Sequence, residues 1–125
     1  MIDDGKKTWL NTVLCRIQGV SDKAYQRRVW INGIGPECDD FDETSEYIIC
    51  DMRDILKEHH LFGMTEYQYH LLNKFRDEYE NFCYQDLSYH GPERFIDTPE
   101  WTRITELAEE VIKAFDYHYV FPSTR

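Results

Sequence analysis

The sequence predicts an all-α protein: a single-domain bundle of about five helices over residues 1–125, with a short aromatic C-terminal tail. Apolar side chains recur every three to four residues along nearly the whole chain, the period that lines one helix face. Start and stop signals punctuate that pattern at ordinary helix lengths. The 125 residues, 42% apolar, fit one compact domain with a modest core. Scarce Pro and Gly, four and six residues, argue against disorder and against a many-turned β-sandwich.

The first helix is expected over residues 5–18, with Leu10, Val13, Leu14 and Ile17 on one face. Asp3 or Asp4 caps it and Gly19 stops it. Ser21 is the expected cap of a second helix carrying Tyr25, Val29 and Trp30, ended by Asn32-Gly33-Ile34-Gly35-Pro36. A third starts at Asp40, which with Glu43 resembles a capping box. Phe41, Ile48, Met52 and Ile55 form its apolar stripe, and it fails near His59-His60, before Gly63. Thr65-Glu66-Tyr67-Gln68 is a fuller capping box and opens a long fourth helix, with Gln68, Leu71, Leu72, Phe75, Tyr79 and Phe82 inward. Residues 86–98 read as a loop. Thr98-Pro99-Glu100 starts the last helix, whose stripe of Trp101, Ile104, Leu107, Ala108, Val111, Ile112 and Phe115 is the clearest in the chain. The tail, Tyr117-His118-Tyr119-Val120-Phe121, has no partner strand and reads as docked on the helices.

Twenty-four carboxylates against fourteen Lys and Arg give a net charge of −10. Nucleic acid and anionic membrane both require a positive surface, so neither is expected as a main partner. Cationic partners remain. The longest apolar run, Tyr47-Ile48-Ile49-Cys50, is far short of a membrane span, and no export signal is visible. The cysteines, Cys15, Cys38, Cys50 and Cys83, have no paired spacing, and reduced thiols in a cytoplasmic protein are the expectation.

The charge is uneven. Residues 1–36 hold six basic and three acidic side chains, whereas residues 37–125 hold eight and twenty-one. From Val29 to Met52 there is no Lys or Arg, but seven carboxylates: Glu37, Asp39, Asp40, Asp42, Glu43, Glu46 and Asp51. On a helix starting near residue 40, Glu43, Glu46 and Asp54 point away from the Phe41 stripe, and Asp39 falls on the same side. Acids in a first turn suit the helix dipole by about 0.3–1 kcal/mol each, which accounts for Asp40, Asp42 and Glu43. It does not account for Glu46, Asp51 and Asp54. Uncompensated like charge costs folding energy, so a docking surface for a basic protein is the functional expectation. Its residues are Glu37, Asp39, Asp42, Glu43 and Glu46, with Trp30 and Tyr47 as aromatic anchors.

Other chemistry is weakly marked. Asp39-Asp40-Phe41-Asp42 lacks calcium-loop spacing, and no helix carries the Glu-x-x-His pairs of a carboxylate-bridged di-iron bundle. No metal or other cofactor is expected. His59-His60 suits a helix end, His70 lies beside an apolar stripe, and His90 precedes a turn glycine. No Cys–His spacing selects a nucleophile, and Gly33-Ile34-Gly35 runs into Pro36 and acids that would repel phosphate. No enzymatic activity is expected.

The stretch Arg28-Val29-Trp30-Ile31-Asn32-Gly33-Ile34-Gly35-Pro36-Glu37-Cys38-Asp39-Asp40-Phe41-Asp42-Glu43 resembles a segment of small bacterial proteins. With size, acidity and helicity, the chain resembles immunity proteins of bacterial toxin–immunity pairs, including those of contact-dependent growth inhibition. The resemblance implies a cytosolic inhibitor that covers one cognate basic toxin, often a nuclease, by stoichiometric occlusion, and it brings no catalytic residue. Two other classes stand beside it: a helical adaptor for another protein, and a small metal protein using carboxylates and histidines.

Overall fold

The computed structural model describes residues 3–117. The chain is all-α, 78% helical, with no strand among the described residues. Among the described residues six helices follow one another: α1 (Asp4–Val20), α2 (23–31), α3 (41–57), α4 (Glu66–Cys83), α5 (Pro92–Phe95) and α6 (Pro99–Ala114). Two of them widen into π-helical turns, α2 at Gln26–Ile31 and α3 at Tyr47–Asp51. Single 3₁₀ turns occupy His59–Phe62 and Asp86–His90.

Most of the expected punctuation is present. Asp3 caps α1 by accepting from the backbone N–H of Gly5 and Lys6. Asp40 caps α3 through Glu43 N–H, and Thr98 caps α6 through Trp101 N–H, with Pro99 in the first turn. Thr65 and Gln68 form a complete capping box on α4, and the Gln68 amide also donates to Ala114 C=O at 2.9 Å, tying α4 to the end of α6. Gly63, at φ +70°, ends the turn after α3 in the left-handed region, as a terminating glycine should.

Three expectations are corrected. Gly19 does not stop α1, which runs one residue further and ends at Ser21, whose hydroxyl donates to Gln18 C=O. Gly19 is instead a close-approach position: a Cβ there would lie 3.0 Å from the Tyr25 ring. The cap of α2 is Asp22, not Ser21, because Ser21 is already used at the end of α1. Residues 86–98 are no plain loop; they hold a 3₁₀ turn and α5, which brings Phe95 and Ile96 into the core. The expected docked tail lies, beyond Tyr117, outside the described residues.

One contiguous core joins all six helices, with α4 packed along α6 and α1 packed against α6 and the wide turn of α3. Its centre is aromatic. Phe41, Phe95 and Trp101 meet with ring centroids 4.8–5.8 Å apart, and Trp30, Tyr79 and Phe82 surround them. Edge-on and tilted pairs of this kind add about 0.5–1.5 kcal/mol each beyond burial. The one side-chain amide sealed in this core among the described residues is fully served: Gln26 accepts from Trp101 Nε1–H at 2.9 Å and donates to the carbonyls of Gly19 and Val20. It fixes α2 against both α1 and α6.

Candidate functional site

The basic-free acidic stretch divides in two. Asp39 lies in the sealed part, its side chain only 4% exposed. Oδ1 accepts from Arg16 Nη1 at 2.8 Å and from the Thr44 hydroxyl at 2.9 Å. Oδ2 accepts from the Tyr25 hydroxyl at 2.7 Å and from Trp30 Nε1–H at 2.9 Å. A carboxylate offers roughly four acceptor positions, and here each is taken. Asp39 therefore clamps α1, α2 and α3 together, and the expectation that it faces outward is corrected. Burial, reinforced by the hydrogen bond to Asp39, pushes the Tyr25 phenol well above its usual range, so it stays a donor.

Trp30 belongs to the same sealed part, and Glu37 lies at its edge. Trp30 is 9% exposed, packed on Tyr25, Phe41 and Trp101. It is part of the core, so the expectation of an exposed anchor is corrected. Glu37 is held by a bidentate pair, Arg28 Nη1 and Nη2 to its two oxygens at 2.8 and 2.9 Å. Those hydrogen bonds hold the Glu37 carboxyl below its ordinary value. Arg28 also donates to Ile34 C=O, closing the 32–37 loop. Gly35, at φ +122°, is required there because a side chain would run into the Arg28 guanidinium.

Asp40, Asp42, Glu43 and Glu46 are exposed. With Tyr47, Cys50 and Asp51 they line an open depression along the outer side of α3. Arg16 reaches Glu43 only at 3.5 Å. No cationic side chain pairs with Asp42 or Glu46 among the described residues. Tyr47 is half-buried under the Arg16 guanidinium, 4.4 Å above its ring, so it forms a wall of the depression. Asp51 accepts from Trp9 Nε1–H at 3.2 Å, and Asp54 stands 3.5 Å from Arg53.

A second opening of about 460 Å³ lies between α1 and the 37–39 segment, with Asn11, Cys15, Cys38 and Tyr117 among its walls. Asp39 and Glu37 also border it, but their acceptor positions are turned to the protein's own donors. All four cysteines are free thiols. Burial raises the Cys15 thiol and pushes that of Cys83 up to about 11, which leaves both protonated and poorly nucleophilic at neutral pH. His59 stacks on Tyr69 with centroids 3.8 Å apart, and its Nδ1 lies 3.2 Å from Leu56 C=O, the helix-end role expected of it. His70 pairs with Glu66 in the open. Among the described residues no three His, Cys, Asp or Glu side chains converge as metal ligands.

Compared with protein-family models, curated proteins and solved structures, the chain has no match. No described helix is long and apolar enough to cross a membrane. Function is thus argued from the residues. Those that pattern reading passed over are Arg16 and Arg28, which neutralise Asp39 and Glu37, two of the seven acids. The excess of basic side chains before residue 37 was the available signal.

Proposed function

We propose that this chain is an immunity protein that binds a cognate basic toxin and neutralises it by stoichiometric occlusion, with a nuclease as the class of toxin. The observation that carries the reading is the exposed acidic row of α3. Asp42 and Glu46 have no cationic partner among the described residues, and Asp40, Glu43 and Asp51 border the same depression. A nuclease must present positive charge to hold phosphates. An acidic surface on a rigid body can occupy that ground, speed association and compete with the substrate. Asp39, Glu37 and Trp30 contribute by holding α3 in place; Asp42, Glu43 and Glu46 are the contact residues. No bond is made or broken in this mechanism.

The test is co-expression with the product of the neighbouring open reading frame, the expected toxin. The wild-type chain should relieve lethality in proportion to its amount. The Asp42→Lys, Glu46→Lys double variant, folded normally, should lose at least tenfold in affinity and most of its salt dependence. Equal protection by that variant would remove the acidic row from the mechanism.

A further inference from the structure

Beside the acidic row lies a groove of about 320 Å³ between the first turn of α3 and the segment that leads into α5. The nearly buried Trp30 and Phe41 reach its base, Tyr89 and Pro92 form one wall, and Asp40 and Asp42 stand on the other. Tyr89 is 78% exposed, the most exposed of the large apolar side chains among the described residues. The backbone of the 3₁₀ turn that carries it is held by the Ser88 hydroxyl, which bonds the carbonyls of Cys83 and Gln85. A tyrosine has only two side-chain rotations to lose, so its ring offers contact area at little ordering cost.

An apolar base, an open ring and two carboxylates define the occupant. A long side chain with a hydrocarbon stem and a cationic head can cover the base and keep its charge at the rim. Arginine fits better than lysine, because the planar, weakly hydrated guanidinium stacks on an aromatic face and presents paired donors to carboxylates. The chain's net charge of −10 draws such a partner in. We infer that this groove seats an arginine side chain of a basic protein partner, against Tyr89 and between Asp40 and Asp42. The inference rests on the function proposed above and names the chemistry that the surface recognises.

Two capped peptides serve as probes, one of alternating arginine and glycine and one of alternating lysine and glycine, titrated into isotope-labelled protein at low salt. The arginine peptide should shift the backbone amides of Asp42, Tyr89 and Gly91 and bind about two- to fivefold tighter than the lysine peptide. Tyr89→Leu, an exposed change that leaves the core alone, should abolish that preference and keep the residual charge-driven binding. An unchanged preference in Tyr89→Leu, or shifts confined to Glu46, Tyr47 and Asp51, would overturn the arginine seat while leaving the acidic row as the docking surface. Absence of shifts at both places with either peptide would overturn the seat and the proposed function together.

Discussion

Asp39 and Asp42 lie on either side of the start of α3 and carry the same charge, yet they do opposite work. Asp39 is enclosed by Arg16, Tyr25, Trp30 and Thr44. Asp42 faces water with no cation beside it among the described residues. Their difference shows that a run of like charge in a sequence is no single object. The part that meets the chain's own arginines becomes an internal clamp, and only the remainder is available for recognition. Neutralising Asp39 and Glu37 within the fold also limits the self-repulsion that the exposed row would otherwise add to.

The comparison is broken hardest by removing the clamp. Asp39→Ala takes from Arg16 its buried carboxylate and removes the acceptor of the Tyr25 hydroxyl, the Trp30 indole N–H and the Thr44 hydroxyl. The expected loss is about 3–5 kcal/mol of stability, read from urea unfolding. A loss below about 1 kcal/mol would mean that the clamp is dispensable. Gln26→Leu, inside the same sealed half, strands the Trp101 indole N–H and takes one donor each from the Gly19 and Val20 carbonyls, and should cost about 2–3 kcal/mol.

Glu37→Gln sharpens the contrast through pH. The folded carboxyl sits below its ordinary value of 4.5 because Arg28 donates to it. It therefore stabilises the fold above about that pH, and the contribution is lost as pH falls through the lower, folded value. Wild type should exceed the variant in urea midpoint at pH 7, and the gap should close on acidification below 4.5. A gap independent of pH would show that Glu37 acts through packing. The smallest stability effect belongs to the exposed half: Asp42→Lys with Glu46→Lys should change unfolding free energy by no more than about 0.5 kcal/mol. A large change there would mean that the row supports the fold and is not free to bind.

The helices were legible because their apolar spacing and caps agree. Leu10, Val13, Leu14 and Ile17, and then Trp101 through Val111, bury where the period places them. Boundaries failed where one residue had two uses, as Ser21 did, or where close packing against Tyr25 demanded a glycine that also reads as a stop signal. The candidate surface was half legible. Linear charge located α3's outer row, but the burial of Asp39 depends on Arg16, twenty-three positions away, on a tyrosine read only as a packing residue and on an indole read as an exposed anchor. Tyr89 was hidden for the complementary reason, since a turn tyrosine gives no periodic signal of its exposure.

The tryptophans offer a spectroscopic dividend from this division. Trp30 and Trp101, with ring centroids 6.0 Å apart, sit in the closed interior, whereas Trp9 is tethered to Asp51 at the margin of the open depression. Emission from the interior indoles should report whether the molecule is intact. The contribution of Trp9, isolated as the difference between wild type and Trp9→Phe, should instead change when another molecule settles over α3. Folding and occupancy can thus be followed in separate optical channels without attaching a dye.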